Sequence, residues 1–423
     1  MPQQIRTLAT TLASIEIWPV GLCVAASIIS TRFVPLALGV AALFWLVRWL
    51  AYGTPTVRTP ADAPVALLVL MLPVTLWITP LPEVTHPQVY RLLLGIALFY
   101  ALINWSTNAA RLRLLFSGFV LAGLVLALGA TITIDWVAWS QARAISDSRV
   151  PFIPLSLYEH FPLLVSDTVN PNVMAGNLNL LLPFGLSILL FRWQGADWLH
   201  RLLALLAVAT IATMLLLTQS RGGLMTCIVV LVIITSLRWR RAWLVPLATG
   251  AAVVLVSQLA TGLNVAGALL QRSTTMLTAR MEIWSRALAM IGDFPLTGIG
   301  MGTFLPLANQ SYPFVTPIYA YSAHHAHNLF LQVAVDLGIP GLVAWLAILG
   351  IVVACTWRIY RRGKTLQDSW ITTLGAGLFC SQVALIVNGM VDAVTWGMVR
   401  PAPLVWALWG GALAGWRVYR TVP

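Results

Sequence analysis

Residues 321–332 read YSAHHAHNLFLQ, and three of the chain's six histidines, His324, His325 and His327, fall inside this stretch. An imidazole is ordinarily largely neutral at neutral pH and can accept a proton. Metal, proton handling and packing are therefore the candidate roles. Nine arginines, Arg221 and Arg280 among them, stand where topology alone gives no reason for them. Arg221 sits in LLLTQSRGG between two apolar runs, and Arg280 opens RMEIWSRAL. Arginine presents a planar fork to phosphate oxygens and stays charged at any relevant pH. Arg286 has Glu282 four residues before it, which is a favourable helix ion-pair spacing. Arg280 has no acid three or four residues away, so it is the better anion ligand. The glycines beside Arg221 would permit close backbone approach. GIGMG (Gly298 to Gly302) could present amides to a phosphate, although a plain loop turn is the stronger reading of that motif.

A metal centre is not expected. Neighbouring histidine side chains diverge, and the H-E-x-x-H spacing is missing. No D-x-D or E-x-D is present to hold a divalent cation against a diphosphate. The four cysteines (Cys23, Cys227, Cys355, Cys380) are far apart and form no C-x-x-C. Two cationic forks, a neutral base and no metal or other cofactor suit the transfer of a group off a phosphate-bearing carrier. Arginine would stabilise the departing diphosphate, and the base would take the proton of an attacking hydroxyl.

These residues must be positioned by membrane helices. The 423 residues are 59% hydrophobic and 9% charged, with mean hydropathy +0.86. A soluble domain is nearer a quarter charged. The fold class expected is an all-α polytopic membrane protein, since a bilayer admits helices or closed barrels and no alternating ten-residue segments mark a barrel. About twelve spans are expected, near 15–31, 33–52, 64–80, 90–106, 112–134, 172–191, 199–218, 222–237, 242–258, 327–356, 369–391 and 401–418. They form a single integral membrane domain over 1–423, the first span being retained.

The formal charge of +12 is nearly all arginine, Lys364 being the only lysine. No basic run is interleaved with aromatics in a soluble segment, so nucleic acid is not an expected partner; membrane lipids are. With the N-terminus inside, every inside loop is basic: Arg6; Arg48 and Arg58; Arg111 and Arg113; Arg192 and Arg201; Arg238, Arg240 and Arg241; Arg358, Arg361, Arg362 and Lys364; Arg417 and Arg420. Both termini are then cytoplasmic. Two long outside segments remain. One is 135–171, read as an amphipathic interfacial piece. The other is 259–326, far above the usual connection length and so a functional candidate. It carries a helix over 276–292, ended by DFPLTGIGMGTF.

The chain resembles the O-antigen ligase family, within a superfamily that also holds O-antigen polymerases and bacterial O-oligosaccharyltransferases. The resemblance lies in TQSRGG (218–223), RMEIWSRAL (280–288), PLTGIGMGTF (295–304) and HAHNLFLQVAVDLGIPG (325–341), with NPNVMAGNLNLLLP (170–183) ahead of a middle span. It covers roughly the second half in order. It implies transfer of O-antigen polysaccharide from an undecaprenyl-diphosphate-linked donor to the lipid A–core acceptor at the periplasmic face of a Gram-negative inner membrane, without a metal. It puts the general base on His327 and the diphosphate ligands on Arg221 and Arg280, with His325 and Arg286 as further substrate-binding residues. Asp336 stands where the family often has glutamate and is read as structural. Asn388 and Asp392 are pocket liners without a firm motif. An O-antigen polymerase shares donor and chemistry, and a protein-glycosylating relative is third. A flippase of lipid-linked glycans is the alternative of another class, but no repeat or midplane polar site marks a transporter.

Overall fold

A computed structural model describes residues 3–147, 158–164, 168–239, 241–242, 244, 280–316, 323–396 and 403–420. The protein is all-α, with no strand among these residues. The helices are α1 (Gln3–Ser14), α2 (Ile17–Ile29), α3 (Val34–Tyr52), α4 (Asp62–Ile78), α5 (Pro82–Trp105), α6 (Ala109–Thr133), α7 (Trp136–Asp147), α8 (Pro171–Phe191), α9 (Trp198–Thr218) and α10 (Arg221–Arg238). There follow α11 (280–293), α12 (Phe304–Ser311), α13 (Leu329–Thr365), α14 (Ser369–Val391) and α15 (Pro403–Tyr419).

Eight of the described helices are long and apolar enough to cross a membrane, and the bent pair α1–α2 would make a ninth. Helix α4, at 17 residues, is shorter. Most of the expected spans fall on these helices, but the count of twelve is not reached among the described residues. The expected span 242–258 lies almost wholly outside them. The expected span 327–356 is the longer α13, broken at Gly338, whose φ of 70° and ψ of −177° are not helical.

The chain divides into two compact units: residues 1–112, 235–356 and 389–423, and residues 113–234 and 357–388. In the first unit α5 is the central helix, buried along most of its length and packed on α2, α3, α4 and α15. Small residues let α5 and α15 approach closely, as in membrane bundles generally. A Cβ on Gly410 would lie 2.8 Å from the Phe99 carbonyl oxygen. A buried ion pair also ties this unit together. Arg48 Nη1 lies 3.4 Å from Glu16 Oε2, and Asn104 Nδ2 donates to both Glu16 oxygens at 3.3 and 3.2 Å. Removing either charge would strand the other away from water, so Arg48 is part of the packing as well as of the topology.

In the second unit α8 packs along α9. Asn170 caps α8 by accepting from the Asn172 N–H at 2.8 Å. Helix α7 falls in the first expected outside segment. It seats Trp136 against Tyr158 in a stacked pair, and the Trp139 indole donates to the Thr218 carbonyl at 3.0 Å. The Tyr158 hydroxyl reaches the Leu217 carbonyl at 2.9 Å. This segment therefore packs on the end of α9, because its aromatic residues find backbone carbonyls there.

Candidate active site

A small apolar core of the first unit positions the histidine segment. Ile283, Ala287 and Met290 form the inner stripe of α11, at the spacing of one helical face. They pack with Ile299, Phe304, Ala308, Ala323, Ala326 and Val335. Arg280 at the start of α11 and the histidines flanking Ala326 are thus brought together by one core.

The loop after α11 is a clamp. Gly298, Gly300 and Gly302 all have positive φ, a conformation glycine adopts at little cost. The Ile299 N–H donates to the Val335 carbonyl at 2.9 Å, the Met301 N–H to Thr75 Oγ1 at 3.0 Å and the Gly302 N–H to Asp336 Oδ1 at 3.3 Å. A Cβ on Gly298 would lie 2.6 Å from the Val335 oxygen. The phosphate cradle considered for GIGMG is not what the loop forms, since these three amides are spent on α4 and α13. Asp336 is the hub of the clamp. It also accepts from Gln332 Nε2 at 2.8 Å and Trp396 Nε1 at 2.7 Å, which supports the structural reading. Gln332 in turn accepts the Ala326 N–H at 2.8 Å through Oε1, which pins the backbone between His325 and His327.

The sequence places His327 at the start of a span, where its backbone could cap the helix, but the structure gives that place to the next residue. Asn328 is the cap, its Oδ1 accepting from the Phe330 and Leu331 N–H groups at 3.0 and 3.1 Å. His327 precedes it with φ of 46°, in the left-handed region that costs an ordinary residue roughly 1–2 kcal/mol. The chain turns there so that Asn328 can cap while the imidazole turns to Asp392. His327 Nδ1 lies 3.3 Å from Asp392 Oδ1. The His325 and His327 ring centroids are 4.3 Å apart, and His325 Nε2 is 3.6 Å from the same carboxylate oxygen. His324 is exposed, whereas His325 is part-buried beside Asp392.

Arg280 is not unpaired, contrary to the reading from its own helix. Its Nη1 donates to the Val391 carbonyl, and its charge acts on Asp392. Sequence reasoning looked for an acid within four residues and missed one 112 positions away. Burial pushes the Arg280 pKa below its ordinary value, and Asp392 opposes that shift. Burial pushes the Asp392 carboxyl upward, but the His327 hydrogen bond, the two imidazoles and the Ala393 N–H together hold it below its usual value. Burial, with His327 next, lowers His325 to about 4. His325 beside Asp392 is therefore a neutral imidazole facing a carboxylate at neutral pH, not an ion pair.

The expected Arg286–Glu282 pair does not form as a close contact. Glu282 Oε1 accepts the Val315 and Thr316 N–H groups, and Oε2 accepts the Thr316 hydroxyl at 2.7 Å. The turn offers three donors, so Arg286 acts on Glu282 only at longer range.

Arg221 belongs to the second unit, where it begins α10. Gln219 has φ of 48° and ends α9, and Ser220 Oγ accepts the Gly223 N–H at 3.3 Å. Gly223 serves helix packing: a Cβ there would lie 2.8 Å from the Ala175 Cβ, and its carbonyl accepts from Asn179 Nδ2 at 2.9 Å. Close approach at that glycine is to α8, which corrects the reading of it as room for a ligand.

Three ligand atoms of His325, His327 and Asp392 lie within 4.8 Å of one another, so this trio is the group that could hold a metal ion among the described residues. Metal-ligand spacing in the sequence could not reveal it, because Asp392 comes from the end of α14.

The helices define a multi-pass membrane protein with a histidine–carboxylate–arginine cluster at the ends of its helices. Residues 204–346 match the family model described as O-antigen ligase. The match contains Arg221, Arg280, Arg286, His325 and His327, whereas Asp392 lies beyond it. No curated protein matches the chain. That family match supports a function of the O-antigen ligase and polymerase type, with glycosyltransferase-like chemistry on lipid-linked polysaccharide in a membrane.

Proposed function

We propose that the protein is an O-antigen ligase, transferring O-antigen polysaccharide from undecaprenyl diphosphate to lipid A–core oligosaccharide. The observation that carries this reading is the contact of His327 with Asp392 beside Arg280. With its Nδ1 proton directed at Asp392, His327 keeps Nε2 as the unprotonated nitrogen. That nitrogen takes the proton of the acceptor hydroxyl as the hydroxyl oxygen bonds to the anomeric carbon. The bond from that carbon to the diphosphate breaks, and the diphosphate leaves with the electron pair. Arg280 and Arg221 hold its oxygens. Arg286 and His325 bind substrate alongside them.

The reaction runs without a metal in this reading. Arg280 already places a positive charge against Asp392, and a dication in the same spot would be repelled. Basic inside loops support cytoplasmic termini and an active site on the periplasmic face of the inner membrane. The deciding experiment is a transfer assay with purified protein in lipid, a defined carrier-linked donor and isolated lipid A–core. Modified lipid A–core is the expected product. Lengthened carrier-linked chains without it would mark a polymerase, and carrier movement with no new glycosidic bond a flippase.

A further inference from the structure

The carboxylate of the cluster stands just outside regular structure. Helix α14 ends at Val391, so the helical hydrogen-bond ladder does not fix Asp392. Before Asp392, the Met390 carbonyl accepts from Asn328 Nδ2 at 3.1 Å, and the Val391 carbonyl accepts from Arg280 Nη1. Beyond it the chain turns, with the Trp396 N–H donating to the Ala393 carbonyl at 3.1 Å. A tryptophan just past a span is ordinarily half wet at the membrane interface. Trp396 is instead 3% exposed, and its indole N–H donates to Asp336 Oδ2 at 2.7 Å. The other oxygen of Asp336 accepts from Gln332 Nε2 and from the Gly302 N–H. The acceptor is therefore itself held, from α13 and from the glycine clamp. All of these residues belong to the first unit.

Asp392 is thus bracketed. Two contacts hold the backbone before it, and the Trp396 side chain holds the backbone after it. The contact served by this bracket has little slack. His327 Nδ1 lies 3.3 Å from Asp392 Oδ1. An N–H···O bond weakens beyond about 3.2 Å, so a further shift of a few tenths of an ångström breaks this one. We propose that Trp396 is a positioning residue for the transfer reaction, its indole N–H on Asp336 setting the reach of Asp392 to His327. This role rests on the reading of His327 as the base. Trp396 acts through Asp392 and contributes no group to the substrate.

The test compares Trp396→Phe, which keeps the ring and removes the N–H, with Asp392→Asn and with the double variant, each as purified full-length protein in lipid. Trp396→Phe should lower kcat roughly tenfold, since a misplacement of about 1 Å can cost roughly 10²-fold. KM for donor and acceptor should stay within about twofold. In the Asp392→Asn background the same change should lower kcat no further, because the indole then has no carboxylate to position. The two losses would add if Trp396 only supported the fold. Hydrogen exchange gives a readout independent of transfer. Trp396→Phe should speed exchange in peptides covering 389–396 roughly tenfold and leave those covering 171–191 unchanged, as local release of a tether requires. Should Trp396→Phe not fold, Asp336→Asn, which weakens the same bond from the acceptor side, takes its place in both measurements. Unchanged exchange over 389–396, or kcat losses that add in the double variant, would overturn the role of Trp396. An unsubstituted protein that forms no glycosidic bond would overturn the ligase reading and this role with it, and that failure is recognised before any variant is compared.

Discussion

His327 occupies a left-handed backbone position and touches Asp392 through Nδ1. Asparagine tolerates that backbone, so His327→Asn should keep the thermal midpoint within a degree or two while removing the base. Transfer should fall roughly 10²–10⁴-fold in kcat; near-normal turnover would remove the base role. Asp392→Asn should cost less than His327→Asn, because it misorients the imidazole without deleting it. The pH dependence of stability follows from the same cluster. Folding holds His325 neutral down to about 4, whereas an unfolded histidine takes up its proton near 6.5. The unfolded chain thus binds more protons between those values, and stability falls as pH drops from about 6.5 to 4, by on the order of 3 kcal/mol. Asp392, with a lowered carboxyl, adds a further loss only below the ordinary carboxylate range. Melts of the protein and of His325→Gln across pH 4–7 should differ in slope; parallel curves would show that His325 is not the titrating group.

Asn328 and the glycine clamp hold the cluster at the level of elements. Asn328→Ala removes the cap of α13, worth about 1 kcal/mol, and also the Asn328 contact to the Met390 carbonyl at 3.1 Å. That contact ties the start of α13 to the end of α14, where Asp392 follows. The expected result is a lowered thermal midpoint together with reduced transfer. Gly338→Ala acts from the other side of the clamp. Gly338 has positive φ, and a Cβ there would lie 2.7 Å from the Leu296 carbonyl carbon. The variant should separate the loop from the break in α13 and lose activity with stability. A Gly338→Ala protein with full transfer would show that the loop does not position Arg280 and the histidines.

For the whole molecule, the proposed orientation and the metal-free reaction are open to direct measurement. Transfer by the purified protein should persist in excess EDTA. Activity lost with EDTA and restored by a divalent cation would reassign His325, His327 and Asp392 as ligands. Arg221→Lys should be strongly impaired, since a point charge does not replace a fork; full activity would reduce Arg221 to a topology residue. Single cysteines placed at the two termini of an otherwise cysteine-free chain should resist a membrane-impermeant reagent in intact spheroplasts and react after lysis.

The membrane class and most helix positions were legible in the residues themselves. Apolar length and arginine placement are local properties that any bilayer reads in the same way. His327, Arg221 and Arg280 stand out by local residue type and spacing. The tertiary structure alone decided the partners. Asp392 joins His327 from 65 positions away, Glu282 turns from Arg286 to the 315–316 turn, and GIGMG gives its amides to α4 and α13. Each outcome is a competition among donors and acceptors that packing brings within about 3 Å of one another, and such proximity has no periodicity along a chain.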